Sequence, residues 1–264
     1  MGIEKYEKRS SKVNSLVCVG LDADFEKIPE RFRKMEHPQF EFNKFLIEET
    51  HEFVAAYKPN SAFYEARGDA GIRELKMTME YLQKEHPDIF TIDDAKRGDM
   101  GNTNNGYVTS IFDWLGFDAV TVHPYLGGEA LTPFLERTDK TTIVLCRTSN
   151  PGSGELQNLE TDGKPFWHIV AEKVSKEWNT NKNCMLVVGA TFPEEMKKIR
   201  AIAPQMTFLV PGIGAQGGDV SKTLAAGLTG ERGGLIINSS RGVIFSTRPR
   251  EEAKKLRDEI NSHR

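Results

Sequence analysis

The chain has 264 residues, 38% of them hydrophobic and 28% charged, with a formal net charge of −3 at pH 7. That is ordinary globular composition, long enough for one large core, and it sets the expectation of one domain over residues 1–264. The near-neutral balance gives no electrostatic footprint for nucleic acid or a membrane, so small soluble ligands are the expected partners.

The first stretch, 1–14, is charged, lacks the apolar core of a signal peptide, and carries Tyr6 where a myristoylation signal needs Ser or Thr. No run reaches membrane-spanning length. Cys18, Cys146 and Cys184 each lie in a short apolar segment without metal-type spacing. They read as buried reduced thiols of a cytoplasmic protein.

From there, short β-rich apolar runs alternate with longer amphipathic stretches, the mark of βα repetition. A strand is expected at 16–22, then a helix from the near-helical spacing of Phe42, Phe45, Leu46, Phe53 and Val54. Strands follow at 55–60 and 89–94, with a helix at 75–84 between them. Further strands are expected at 119–123, 142–147, 185–190, 207–212 and 235–239, with helices at 166–178, 193–203 and 250–262. Residues 150–165 form a long low-propensity stretch and are read as a lid loop. The eight strands suit a closed (β/α)8 TIM barrel, although an open doubly wound sheet shares the alternation. The barrel is favoured because nearly every strand ends in polar residues, which closure brings to one mouth: Asp22, Lys58 with Asn60, Asp94 with Lys96, His123, Ser149, Gly212, Ser239 with Arg241.

Two constellations carry chemistry. Asp94 and Lys96, two apart on a strand, project to the same side, and Asp99 follows in the turn, giving two carboxylates around one ammonium. Alone this could be an ion-pair network capping a strand. Asp22 and Lys58 at the same mouth add more charge than a barrel rim needs for stability. The second constellation is the glycine-rich run from Pro211 to Asp219, with Gly212 and Gln216, followed after the last strand by Arg241. Loops after strands seven and eight commonly hold phosphate in this fold, through backbone N–H groups and an arginine fork. His123 reads as a satisfied histidine of the barrel mouth, no metal-ligand spacing is present, and no dinucleotide fingerprint follows the first strand.

The run Asp94-Ala95-Lys96-Arg97-Gly98-Asp99-Met100-Gly101-Asn102-Thr103 resembles the signature of the orotidine 5′-monophosphate decarboxylase family. Met100 replaces the more familiar Ile. The resemblance extends through Leu21-Asp22, the segment Tyr57 to Asn60, Thr148-Ser149-Asn150, Pro211 to Asp219, and Arg241, and points to the longer, bacterial-type branch. It implies loss of CO2 from orotidine 5′-phosphate to give uridine 5′-phosphate, with no metal or organic cofactor. By the same resemblance Lys96 stabilises and protonates C6, Asp94 and Asp99 position it, and Asp22 and Lys58 hold ribose hydroxyls. Ser149 reads the pyrimidine edge, while Pro211, Gly212, Gln216 and Arg241 surround the phosphate. Asp99 and Thr103 are expected to enter the partner's site in a homodimer with shared active sites. The rival enzyme is a metal-dependent sugar-phosphate decarboxylase, aldolase or epimerase on the same barrel; a silent phosphometabolite-binding barrel is the non-enzymatic alternative.

Overall fold

Strands that are apolar on both faces and separated by amphipathic helices must be covered on both sides, and parallel strands joined by helical crossovers achieve this. The computed structural model of the chain describes residues 2–214 and 217–264. Its barrel strands are β1 (Val17–Val19), β2 (Ala56–Tyr57), β3 (Phe90–Arg97), β4 (Ala119–Val122), β5 (Thr141–Arg147), β6 (Cys184–Val188), β7 (Phe208–Val210) and β8 (Leu235–Ser239). They close in the order β1-β8-β7-β6-β5-β4-β3-β2. Parallel pairing of β1 with β8, Val17 opposite Ile237, seals the sheet and rules out the open doubly wound alternative. Every expected strand is present. β1 and β2 are each four residues shorter than expected, whereas β3 runs to Arg97 rather than stopping at 94 because it bulges and then re-pairs with β4, Arg97 opposite Val122.

Alternation along each strand sorts the residues into layers. Cys18, Ala56, Phe90, Ile92, Ala119, Ile143, Met185, Leu209 and Ile236 belong to one apolar cluster inside the barrel. The outward-facing residues pack beneath the helices in a second, larger cluster. Two residues further along β2, β3, β4 and β8 the inward positions are Lys58, Asp94, Thr121 and Asn238. The barrel interior therefore changes from apolar to charged and polar within one rung.

The outer helices include Pro38–Thr50, Gly68–Glu85, Pro193–Ile202 and Pro249–Ser262, three of them opened by a proline that needs no N–H partner there. The stretch 166–178 is the α-helix Phe166–Lys173 continued by a π-helical turn, Val174–Trp178. Two departures from expectation matter. The charged N-terminal stretch is a helix, α1 (Gly2–Val13), that closes the end of the barrel where the strands begin. Its Tyr6 joins the interior cluster, and Arg9 donates to the carbonyl oxygen of Val54 at 3.2 Å. Residues 150–165 are not an irregular loop: they hold the turns Pro151–Ser153 and Gly154–Gln157 and a small hairpin pairing Glu160–Thr161 with Lys164–Pro165. The three cysteines are buried and unpaired. Among the described residues no helix is long and apolar enough to cross a membrane.

Candidate active site

The mouth where the strands end opens into a cavity of about 1040 Å³ lined by Asp22, Lys58, Asp94, Lys96, Ser149, Pro211, Gly212 and Arg241 among others. Apolar side chains of Leu145, Val187 and Leu209 also line it. One wall is an alternating line of charge. Lys58 Nζ lies 3.9 Å from Asp22 Oδ1 and 2.9 Å from Asp94 Oδ2, and Lys96 Nζ lies 2.6 Å from Asp94 Oδ1. The Lys58 side chain is only 4% exposed, whereas that of Lys96 is 47% exposed and faces the cavity.

Burial opposes the charge on Lys58, but Asp22 and Asp94 outweigh it and raise its pKa above that of an ordinary lysine. Burial likewise opposes ionisation of Asp94, and the Lys58 and Lys96 ammonium groups overcome it, holding the carboxyl well below the usual carboxylate range. Asp94 also accepts from Asn60 Nδ2 at 3.3 Å and from the Thr121 hydroxyl at 3.0 Å. It is thus an ionised carboxylate surrounded by donors. Asp22 Oδ1, by contrast, is buried with no hydrogen-bond partner among the described residues, and this acceptor borders the cavity.

Lys96 occupies the β3 bulge in the left-handed region, φ +49°. Such backbone costs of order 1–3 kcal/mol for a residue with a Cβ and persists only where neighbours impose it. Its N–H donates to Thr121 Oγ1 at 3.0 Å.

Opposite, β5 is followed by Thr148, Ser149 and Asn150. A Cβ on Gly189 would sit 2.8 Å from that of Ser149, so the glycine lets this corner lie against the end of β6. The buried Arg147 stacks on Phe192, 3.6 Å from the ring centre, and donates to Ser153 Oγ at 2.7 Å and Gln157 Oε1 at 3.2 Å. Gln157 accepts from the Thr148 N–H and donates to its hydroxyl, tying the base of 150–165 to the barrel. At the third side Gly212 has φ +102°, and the Gly218 N–H donates to its carbonyl at 3.0 Å. Gln216, placed here by the sequence, lies outside the described residues. Arg241 opens the short helix Arg241–Ile244 after β8, is exposed at the rim, and makes no ion pair with a described residue.

Asp99 and Thr103 do not line this cavity. Asp99 is fixed in the turn after β3, where Asn104 Oδ1 accepts from its N–H at 2.9 Å, and Thr103 lies exposed on the helix Gly101–Val108. His123 is not the satisfied histidine expected: its Nδ1 is buried without a hydrogen-bond partner among the described residues, and its ring lies over Gly98. The sequence reading overlooked Thr121, Asn104 and Gln157. Parity along β4 could have found Thr121, which stands two residues beyond inward-facing Ala119. Gln157 joins its partners only through tertiary folding. Among the described residues no group of three or more His, Cys, Asp or Glu side chains is arranged to hold a metal ion.

Comparison with known proteins gives one answer. Residues 15–256 match the family described as Orotidine 5'-phosphate decarboxylase / HUMPS family. The chain is 46% identical over 268 residues to an orotidine 5'-phosphate decarboxylase of Cellvibrio japonicus, covering 98% of this chain and 97% of that protein. It is 49% identical over 236 residues to one of Christiangramia forsetii, covering 89% and 86%. The solved structure of Leishmania donovani OMP decarboxylase superposes with a TM-score of 0.90 at 41% identity, covering 99% of this chain and 98% of that one. With a closed barrel, an alternating Asp-Lys-Asp-Lys wall and full-length similarity of this degree, the chain belongs to the orotidine 5'-phosphate decarboxylase / HUMPS family.

Proposed function

We propose that this cavity, within one domain spanning 1–264, converts orotidine 5′-phosphate to uridine 5′-phosphate and CO2 in pyrimidine biosynthesis, with Lys96 as the group that meets the reacting carbon. The alternating line Asp22, Lys58, Asp94, Lys96 is the observation that carries this reading. Loss of CO2 from C6 leaves an electron pair in the plane of the ring, where the ring π system does not delocalise it. A cation fixed beside C6 stabilises that charge as it develops. The C6–carboxylate bond breaks, its electron pair stays on C6, and a proton passes from Lys96 Nζ to C6; the amine regains a proton from solvent. Asp94, ionised and immobile, sets the position of Lys96 and repels the substrate carboxylate until CO2 departs.

Asp22 and Lys58 bind ribose hydroxyls, Asp22 Oδ1 being an acceptor in want of a donor. Ser149 reads the pyrimidine edge. Pro211, Gly212, Gln216 and Arg241 hold the phosphate, whose binding draws residues 150–165 over the site. No metal or organic cofactor enters this reading. Absorbance-monitored turnover of orotidine 5′-phosphate tests it: activity should persist after exhaustive chelation, and a metal-reversible loss would transfer the chain to the metal-dependent sugar-phosphate enzymes.

The active unit in this reading is a homodimer, with Asp99 and Thr103 serving the partner's site; their absence from the lining of their own chain's cavity supports it. Lys96→Ala and Asp99→Ala chains should each be inactive alone. Refolded together at random pairing they should recover about a quarter of wild-type sites, since each mixed dimer holds one complete site. No recovery, with mixed dimers confirmed by mass, would return Asp99 to its own chain.

A further inference from the structure

We infer that Thr121, a buried residue of β4 outside the cavity lining, is a positioning residue for Lys96, acting through one hydroxyl that ties the lysine backbone to Asp94. The inference rests on the catalytic reading of Lys96 given above. Between the paired positions Asp93/Val120 and Arg97/Val122, β3 advances four residues while β4 advances two, so Asp94, Ala95 and Lys96 stand against Thr121 alone. Such a bulge leaves backbone groups without a ladder partner, and here the N–H of Lys96 is turned aside by its left-handed backbone. Thr121 Oγ1 accepts that N–H at 3.0 Å and donates its single proton to Asp94 Oδ1, also at 3.0 Å.

Asp94 Oδ1 is the oxygen that Lys96 Nζ contacts at 2.6 Å. Both ends of Lys96 are therefore held on one atom, the ammonium directly and the backbone through Thr121. The closed ring confines a long, rotamer-rich side chain that is half exposed at the cavity, and does so from a residue that is itself fully buried. A Val there keeps the shape and the strand preference and removes both hydrogen bonds.

The test compares wild type, Thr121→Val and Thr121→Ser in steady-state turnover of orotidine 5′-phosphate, alongside the Kd for the product uridine 5′-phosphate. Thr121→Val should lower kcat by about 10- to 100-fold, as expected when a catalytic group is misplaced, with product Kd changed less than about threefold. Thr121→Ser, which keeps the hydroxyl, should remain within about threefold of wild-type kcat. Equal kcat for Val and wild type overturns the inference, as does a Ser variant as impaired as Val, because shape rather than the hydroxyl would then matter. If Thr121→Val does not fold, Thr121→Cys carries the test, being close in size and a poor hydrogen-bonding group: a kcat loss at unchanged product affinity supports the role, and wild-type kcat rejects it. An inactive wild type would instead sink the catalytic reading of the cavity.

Discussion

The two ends of this barrel are built from the same strands and solve opposite problems. At the closed end, Tyr6 of α1 meets Phe90 edge-on at 5.8 Å between ring centres, its hydroxyl donates to the Leu235 carbonyl oxygen, and Arg9 spends its donors on Val54, His51 and Asp88. Apolar surface is covered and the donors of Tyr6 and Arg9 are paired, which is what stability requires. At the open end two lysines and two aspartates crowd together, Asp22 keeps a buried oxygen without a hydrogen bond among the described residues, and Lys96 holds left-handed backbone. Left-handed backbone of this kind costs stability and persists where its surroundings impose it. The transition between the two regimes is one step of strand alternation, from Ile92 to Asp94 and from Ala56 to Lys58.

If that division is right, substitutions at the two ends should separate activity from stability. Lys58→Ala is expected to breach it most severely, because Asp22 and Asp94 would be left as buried carboxylates without their shared cation. Thermal unfolding should report a loss of about 3 kcal/mol or more, and turnover should fall at least about 10³-fold as Asp94 loses the partner that fixes it. A variant of normal stability would show that Lys58 is not the keystone of the wall. Arg241→Ala, at the rim, should instead leave unfolding within about 0.5 kcal/mol while lowering kcat/KM about 10- to 100-fold, the worth of a charged hydrogen bond to phosphate. An unchanged kcat/KM would remove Arg241 from the phosphate site.

A subtler contrast lies across the thickness of β3. Asp94 faces the cavity, whereas its neighbour Asp93 faces outward, buried, with the Ser61 hydroxyl donating to it. Burial pushes the Asp93 carboxyl up to about 7, against the opposing influence of Ser61 and Arg97. The folded state therefore holds this proton more tightly than the unfolded chain, whose Asp titrates near an ordinary value of about 3.9. The contribution to stability is fully present below that value and declines as pH rises through about 7. Melting temperatures from pH 5 to 8 should fall less steeply for Asp93→Asn than for wild type; identical slopes would contradict the buried, protonated group. The smallest effect belongs to the closed end: Tyr6→Phe should cost about 1 kcal/mol for one lost hydrogen bond with kcat unaltered, and a change in kcat would mean the ends are coupled.

The same division explains what could be read before the structure. Strand positions were legible because burial on both faces writes continuous apolar runs, and the charged wall was legible because Asp22, Lys58, Asp94 and Lys96 interrupt those runs at one level. Helix α1 was not, since its large buried side chains, Tyr6 and Arg9, are amphipathic and sit among charged neighbours in a stretch of low hydrophobicity. Thr121 was not, because a threonine in Ala119-Val120-Thr121-Val122 is also a good strand former, and only closure of the barrel brings its hydroxyl to Asp94. The order in 150–165 depends on Arg147 and Gln157, whose partnership no local pattern announces.

The most direct test of the account is the Lys96→Ala variant, assayed for CO2 release from orotidine 5′-phosphate and, on the same preparation, for binding of uridine 5′-phosphate. In the proposed reading the lysine acts where charge develops on C6, so turnover should fall by more than about 10⁴-fold, the combined scale of a lost proton donor and a lost charge stabiliser. Product affinity should stay within about tenfold of wild type, because the ribose and phosphate contacts remain. Turnover within an order of magnitude of wild type, in protein that still binds the product, would contradict the assignment of Lys96 and with it the chemical role given to the charged wall.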